Sequence, residues 1–390
     1  MIRHGLLALL FSTGLGAQSA PGPVAAAAAP PGAPQREYVA YVVSESVDQI
    51  AVIRFGPQGA KVERTVPVGV SITDPDGPHG VTIAPDGRFY YVSTAHGIPG
   101  GDLWKFDART NDPLSRATLG YFPATAQVSP DGWFAYVVNF NLYGEMETSS
   151  VSVVETGEMV EIARIPTCTM PHGSRLNATG TKHYSVCMMD DELVEIDTRS
   201  FSVARHFFLT AGKEMGMTGA PPVRKADGSH AAHDMSGHGM TPPAPGDIGC
   251  SPTWVEPSAD GARVWVACNQ SSELVEVDLA SWSLVRRLPA GPGVYNLAAT
   301  HDGTRLLATN KRGPSVSVFD AKSGKELARI PTTRRVTHGV AITTDDRYAF
   351  VSNEGVGSEL STVDIIDLLT LTRVASVEVG QQAGGIAVGR

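Results

Sequence analysis

The sequence has little charge, few cysteines and no long apolar run, and each shortage excludes a class of protein. Of its 390 residues, 18% are charged and 4 are cysteine, too few cysteines for a disulfide scaffold. A hydrophobic content of 42% with a mean hydropathy of −0.04 excludes a polytopic membrane protein and a disordered chain. The formal charge is −9 and no run is dense in Lys or Arg, so nucleic acid is not expected as a partner.

Motifs of several large enzyme classes are also missing. The sequence contains no GxSxG, no HExxH, no phosphate-binding P-loop and no CxxCH haem attachment. No enzyme class therefore follows from a motif, and function has to be inferred from how the chain is organised.

Glycine (41 residues) and proline (27 residues) are abundant, as is typical of turn-rich β proteins, and from residue 37 onward the chain repeats itself. Each unit has an apolar strand, a tight turn and a second strand rich in Tyr, Val and Phe, as in HGVTIAPDGRFYYVST (79–94). The turn positions, mostly about 43 residues apart as in propeller repeats, are Gly87, Gly132, Gly180, Gly261, Gly303 and Asp346. Such turns favour hairpins because they need a positive φ.

Two further strands complete each unit. Third strands resemble ELVEVD (273–278), and a fourth ends the unit, as in RVASVEV (373–379). Six units are complete, while residues 381–389 and 36–55 supply the first strand and the second and third strands of a seventh. We therefore predict an all-β fold: a seven-bladed β-propeller of four-stranded antiparallel blades, with the last blade closed by N- and C-terminal strands.

The N-terminus is typical of an export signal. A basic start is followed by the apolar run from Gly5 to Leu15, and Ala17-Gln18-Ser19 offers a small-x-small cleavage site. The run is shorter than the roughly 20 residues that span a bilayer; a buried N-terminal helix or strand is the alternative. We predict a signal peptide at 1–19, an Ala/Pro-rich linker at 20–36 and the propeller at 37–390, in a periplasmic or secreted protein without a transmembrane segment.

The repeats resemble those of a known family. Strand two ends in VVN, ATN or VSN, and FVSNEGVGSELSTVDIID (350–367) is similar to the pattern of the YVTN-repeat, WD40-like β-propellers. The resemblance covers residues 37–390 and implies the propeller fold. It leaves function open, since propellers of this kind serve as surface and binding proteins, lactonases, d1-haem proteins and enzyme subunits.

An insertion at 211–249, between blades three and four, concentrates metal-binding side chains. It carries three of the 11 His and four of the 10 Met residues: Met215, Met217, His230, His233, Met235, His238 and Met240. Imidazole and thioether ligands suit copper, with Met favouring Cu(I). HAAHDMSGHGM (230–240) resembles the His/Met-rich segments of exported copper-resistance proteins. The alternative is a solvated Gly/Pro loop that binds metal only adventitiously.

The cysteines occupy equivalent places in two adjacent repeats. Cys168 and Cys187 flank Gly180, and Cys250 and Cys268 flank Gly261. In a hairpin centred on each glycine, the two members of a pair lie near the open end on adjacent strands. Disulfides Cys168–Cys187 and Cys250–Cys268 are therefore expected, favoured by export; thiolate ligation of a metal and free buried thiols are the alternatives.

Repeat register also brings several histidines to one mouth of the central channel. First strands line the channel, and their starting residues, which include His79, His172 and His338, face the mouth into which the insertion also emerges. His96, in a loop between second and third strands, belongs to the same face. These histidines are candidate metal ligands; alternatively they satisfy backbone groups around the channel. The nitrous oxide reductase propeller is similar in having histidines crowded at one mouth around copper.

We therefore expect a monomeric, exported propeller that binds a metal ion, small molecule or protein partner at this mouth, with copper as the best-motivated ligand. A second hypothesis is a lactonase-like hydrolase or a cofactor-dependent oxidoreductase of the d1-haem type using the same mouth. For haem propionates the sequence offers Arg175, Arg312 and Lys311, without a recognisable pattern. A surface interaction module without small-molecule chemistry is the third.

Overall fold

The computed structural model of this chain describes residues 34–71, 73–96, 100–225 and 249–389. In these ranges seven antiparallel sheets form a ring, and each innermost strand packs against those of the two neighbouring sheets. The predicted all-β seven-bladed propeller is therefore confirmed. No helix in the described ranges is long and apolar enough to cross a membrane. The predicted signal peptide at 1–19 lies outside the described residues, as does most of the linker.

Each blade runs outward from the channel through four strands, and the blades are numbered 1 to 7 in the chain order of their innermost strands. The innermost strands are β4 (Pro78–Ile83), β8 (Pro123–Val128), β12 (Pro171–Leu176), β17 (Pro252–Pro257), β21 (Val294–Ala299), β25 (Val336–Ile342) and β29 (Ala383–Val388). The second strands are β5 (Phe89–Thr94), β9 (Phe134–Asn139), β13 (Lys182–Cys187), β18 (Arg263–Cys268), β22 (Arg305–Asn310), β26 (Tyr348–Glu354) and β1 (Tyr38–Ser44).

The two outer layers complete the blades. The third strands are β6 (Asp102–Asp107), β10 (Thr148–Glu155), β14 (Glu192–Asp197), β19 (Glu273–Asp278), β23 (Ser315–Asp320), β27 (Ser361–Asp367) and β2 (Gln49–Gly56). The fourth strands are β7 (Pro113–Thr118), β11 (Val160–Thr169), β15 (Ser202–Phe208), β20 (Ser283–Pro289), β24 (Glu326–Pro331), β28 (Thr372–Val379) and β3 (Gly59–Pro67).

Burial explains why the inner strands read as apolar runs. Second strands such as β5 and β9 are buried along almost their whole length because neighbouring blades cover both of their faces. Fourth strands such as β24 expose alternate residues at the rim, and this period of two is the pattern of a half-buried strand.

The first hairpin of each of blades 1 to 6 turns as predicted. The turn glycines from Gly87 to Gly303 have φ between 68° and 80°, and Asp346 takes φ 55° at the equivalent place in blade 6. Aspartate tolerates this region better than most residues with a side chain, which is why the sixth repeat dispenses with glycine.

Blade 7 joins the two ends of the described chain. β29 pairs antiparallel with β1, with Ala40 opposite Val388 and Ser44 opposite Ala383, and β1 continues to β2. A short 3-10 helix, Glu45–Val47, connects β1 to β2 on the mouth face. This pairing confirms the predicted closure by terminal strands, which leaves no free edge at the inner end of the blade.

The insertion contributes one strand that its sequence pattern did not predict. β16 (Met215–Thr218) pairs antiparallel with β15 and gives blade 3 a fifth strand at its rim. All four of its residues are exposed. Main-chain pairing to an edge strand needs no hydrophobic alternation, so the pattern carried no signal.

The two predicted disulfides are present and buried. Cys168 is bonded to Cys187 and Cys250 to Cys268, and the described residues contain no free cysteine. The expected placement of Cys168 was wrong, however. It lies in β11, the last strand of blade 2, and not in the hairpin of blade 3, because Met170 alone separates β11 from β12. This disulfide therefore links two blades, whereas Cys250–Cys268 closes the open end of the β17–β18 hairpin.

Candidate functional site

Seven equivalent positions, one at or just inside the start of each innermost strand, encircle the mouth of the channel. In blade order they are His79, Ala124, His172, Thr253, Tyr295, His338 and Gly384. We call this set the mouth ring. The sequence placed the three histidines at this mouth, and the structure brings them together.

The imidazoles meet although their blades are not adjacent. The ring centroid of His79 lies 6.1 Å from that of His172 and 6.1 Å from that of His338. The intervening blades carry Ala124 and Gly384, whose small size leaves room for this approach. A Cβ on Gly384 would lie 3.8 Å from the nearest atom of the His338 ring, so even one methyl group would reach contact distance.

A buried carboxylate holds two of the histidines. Glu45, in the turn between β1 and β2, accepts a hydrogen bond from His79 Nδ1 at 3.0 Å and another from His96 Nε2 at 2.7 Å. Burial alone would raise the pKa of Glu45, but the two imidazoles outweigh it and bring the pKa to about 2. The hydrogen bond to Glu45 in turn raises the pKa of His96. An anionic clamp therefore fixes the orientation of His79.

The tautomer of His172 is set by its two partners. Its Nδ1 lies 2.9 Å from the carbonyl oxygen of Thr253, which can only accept, so Nδ1 carries the proton. Its Nε2 then accepts a hydrogen bond of 2.9 Å from the Tyr295 hydroxyl. Burial, with a smaller contribution from the neighbouring Lys311, lowers the pKa of His172 to about 3. His172 is therefore neutral at physiological pH.

The third histidine lies beside a charged pair. His338 Nε2 is 3.6 Å from Glu354 Oε1, and Lys311 Nζ is 3.4 Å from the same oxygen. His338 Nδ1 is buried and has no hydrogen-bond partner among the described residues. Burial, followed by the charge of Lys311, lowers the pKa of His338 far below its usual value. Lys311 also lies 4.3 Å above the centre of the Tyr295 ring, a cation–π distance.

An aromatic and methionine wall backs the mouth ring on the side of blades 1 to 3. Phe122 packs edge-on to His79 at 5.2 Å, and Phe140 packs against His172 at 4.8 Å. Both belong to one buried cluster with Met170 and Met188. Phe122 and Met170 have positive φ values of 51° and 52°. Bulky residues seldom take this conformation, and here it occurs where the chain enters the inner strands beside the mouth.

A small cavity of about 40 Å³ lies at the mouth ring and along the inner strands. Its lining includes all three histidines of the ring together with Arg175 and Trp254. The Arg175 guanidinium is 3.3 Å from Glu256 and 4.6 Å from the centre of the Trp254 ring. This volume suffices for a few waters or one small ion, so a larger ligand has to bind outside the ring.

The remaining candidate metal ligands are not in the mouth ring. Met215 and Met217 lie on β16, exposed at the rim of blade 3. His230, His233, Met235, His238 and Met240 lie outside the described residues. The described ends of the insertion are on the mouth face: Arg224 exchanges hydrogen bonds with Thr148 and pairs with Asp190, and Cys250 donates its backbone NH to Asp191.

Sequence reasoning missed the two carboxylates. Glu45 lies in the turn after the second strand β1, and Glu354 is the last residue of the second strand β26. His96 likewise follows the second strand β5, and this shared place at the mouth end of second strands is the signal that could have found them. In the described parts of the chain, no group of three or more His, Cys, Asp or Glu side chains is arranged to hold a metal ion as it stands.

Comparison with known proteins supports the architecture. No family profile matches this sequence, and no curated protein matches it either. Among solved structures, hydrazine synthase from Kuenenia stuttgartiensis is similar with a TM-score of 0.62 and 20% identity over 83% of this chain and 92% of that one. A functionally unknown protein from Desulfotomaculum acetoxidans has a TM-score of 0.63 and 12% identity over 90% of this chain and 99% of that one. At these identities the likeness concerns the fold alone.

Proposed function

We propose that this chain is an exported propeller of the YVTN-repeat type that binds a ligand at the mouth ring, and that copper is this ligand. Export is supported by the signal-like N-terminus and by two buried disulfides, since such bonds persist in oxidising compartments.

The observation that carries the proposal is the orientation of the three imidazoles. Histidines that bind metals usually turn their second ring nitrogen toward a carboxylate or carbonyl oxygen. His79 has Glu45 in this role, His172 has the carbonyl of Thr253, and His338 has Glu354 as its neighbour at 3.6 Å. The low pKa values of His172 and His338 keep these imidazoles neutral, which is the form that coordinates metals.

The spacing of the rings agrees with a shared ion. Two imidazoles on one metal, with metal–nitrogen bonds of about 2.0–2.1 Å, have ring centroids roughly 5–6.5 Å apart. The separations of 6.1 Å on both sides of His79 fall within this interval. Neutral imidazoles suit copper and zinc, and the methionines of the insertion favour copper, because Cu(I) prefers soft sulfur ligands.

The His/Met-rich insertion would supply copper to this site. Its described ends lie beside Thr148 and Asp191 on the mouth face, so the segment between them starts and finishes on the side where the mouth ring opens. Its imidazole and thioether groups would capture the ion before it reaches the buried histidines.

Copper stoichiometry and affinity, measured on purified protein by elemental analysis and chelator competition, test the proposal. We expect His79→Ala, His172→Ala and His338→Ala each to weaken binding by about tenfold or more. The control is His301→Ala, in an exposed hairpin turn on the opposite face. Equal affinity in all four variants would reject the mouth ring as the site. A variant that combines His230→Ser, His233→Ser and His238→Ser tests the insertion. If its copper-to-protein stoichiometry equals that of wild type, the proposed role of the insertion is rejected.

An enzyme that uses the same mouth is the second candidate. The hydrogen bond between Tyr295 and His172, with Lys311 above the tyrosine ring, supplies groups that can transfer protons. Purified protein with the visible spectrum of a bound redox cofactor, or with lactone hydrolysis abolished by Tyr295→Phe, would favour this candidate over a copper-binding protein.

A further inference from the structure

The geometry of the mouth ring points to a gate on the copper site. We propose that the hydroxyl of Tyr295 holds the site in a latent form by occupying the one nitrogen of His172 that could bind an ion, so that copper enters only when this hydrogen bond breaks. The inference rests on the proposed function and concerns the regulation of that same site.

His172 differs from His79 in having both ring nitrogens engaged. Its Nδ1 donates to the carbonyl of Thr253 and its Nε2 accepts from Tyr295, both at 2.9 Å. At His79, Nδ1 is hydrogen-bonded to the carboxylate of Glu45, so Nε2 is the nitrogen that can bind a ligand. A metal needs the same lone pair that the Tyr295 hydroxyl occupies, so the two partners of His172 exclude each other.

Tyr295 is packed in a position where it would lose its hydrogen bond to His172 when an ion binds. Its side chain is buried, with the ring 4.8 Å from that of His338 and under the ammonium group of Lys311. When His172 turns to a metal, the phenol loses its acceptor inside a site that water reaches poorly. A buried hydroxyl without a partner lowers affinity by about tenfold or more. The gate therefore weakens binding without touching the ion.

The experiment compares wild type with Tyr295→Phe, which keeps the ring and removes the hydroxyl. Affinities for Cu(I) and Cu(II) are measured by competition with a chelator of known affinity. The matched control is Tyr121→Phe, an exposed tyrosine in the loop between β7 and β8 on the same face. We expect Tyr295→Phe to bind copper about tenfold more tightly and Tyr121→Phe to match wild type. Urea unfolding of each variant without metal establishes that both are folded.

The outcomes separate the gate from the site. If wild type and Tyr295→Phe bind copper equally well, the gate is wrong and the copper site stands. Weaker binding by Tyr295→Phe also overturns the gate, because it makes the phenol oxygen a ligand. If neither protein binds copper, the proposed function fails and the gate fails with it.

A second measurement follows the hydrogen bond itself. In the metal-free protein, nitrogen NMR of His172 is expected to show a protonated Nδ1 and an accepting Nε2, and the Nε2 signal should shift in Tyr295→Phe. Adding Cu(I) to wild type should change the ultraviolet absorption of one buried tyrosine as its hydroxyl loses the acceptor. No change on saturation with Cu(I) would refute the exclusion of copper by Tyr295.

Discussion

Replacing His183 with phenylalanine is expected to stabilise the protein, and to do so most at acidic pH. His183 lies in β13 with no exposed surface, and neither ring nitrogen has a hydrogen-bond partner among the described residues. The imidazole stacks on Tyr136 of the neighbouring blade with ring centroids 5.0 Å apart. Phenylalanine keeps this stacking and removes the two unpaired nitrogens. Since an unpaired buried polar group costs about 1–3 kcal/mol, the gain near neutral pH should be of that order, less any strain from the larger ring.

The pH dependence predicts the difference in the free energy of unfolding between variant and wild type more precisely than the cost of unpaired nitrogens does. Burial, with the charge of Arg175 adding to it, lowers the pKa of His183 to about 3, whereas an unfolded histidine has a pKa of about 6.5. As pH falls below about 6.5 the unfolded chain takes up a proton that the folded chain refuses, so the free energy of unfolding drops by about 1.4 kcal/mol per pH unit. His183→Phe removes this loss, and its advantage at about pH 5 should exceed that at about pH 7.5 by about 2 kcal/mol.

Urea unfolding followed by tryptophan fluorescence at the two pH values measures both effects. The difference between variant and wild type isolates this residue from the other titrating groups, which the two proteins share. His301→Gln, at an exposed turn, is the matched control and should lie within about 0.5 kcal/mol of wild type. If the advantage of His183→Phe is the same at both pH values, the buried imidazole is not a neutral group that resists protonation, and the reasoning is wrong.

Three further perturbations have distinct signatures. Converting Cys250 and Cys268 to Ala should lower the free energy of unfolding by about 3 kcal/mol, as expected for a loop closed across 18 residues. Reductant should then lower the urea midpoint of this variant less than that of wild type, because only Cys168–Cys187 remains to be reduced. Burial and the nearby Asp190 raise the pKa of Glu192 to about 7, so the free energy of unfolding falls as pH rises from about 4.5 to 7. Glu192→Gln should therefore have a free energy of unfolding about 2–3 kcal/mol above that of wild type at about pH 8 and equal to it at about pH 4. Gly384→Val should weaken the proposed copper binding, measured by chelator competition, since it fills the gap beside His338, whereas Gly384→Ala should bind like wild type.

The fold could be predicted because its information is local and repeated. Blades 1 to 6 are each marked by a turn residue that takes positive φ, and the strand patterns at the two ends of the repeats indicate the seventh. The placement of Cys168 failed for a related reason. A count of residues back from Gly180 assumes a connection of ordinary length, but only Met170 joins β11 to β12. The cysteine therefore falls on the preceding blade, although its partner was predicted correctly.

The candidate site could be predicted only in part. Register placed His79, His172 and His338 at one mouth, because residues that open equivalent strands must share a face. The approach of these rings across intervening blades depends on the small residues Ala124 and Gly384. A small residue in an apolar strand does not indicate which side chains will occupy the space beside it. The partners of the imidazoles depend on side-chain rotamers and burial, which no spacing of residues specifies.

Blade 7, which closes the circle of seven blades, also contributes residues to the candidate site. Blade 7 combines β29 from the C-terminal end of the described chain with β1, β2 and β3 from its N-terminal part. From the C-terminal end it supplies Gly384, whose small size lets His79 and His338 approach each other. From the N-terminal part it supplies Glu45, which is hydrogen-bonded to His79. The backbone NH of Glu45 also donates to the carbonyl of Gln382, next to the start of β29. The orientation of His79 therefore depends on the pairing of β29 with β1, so a chain whose ring has not closed lacks the mouth ring even when blades 1 to 6 are folded.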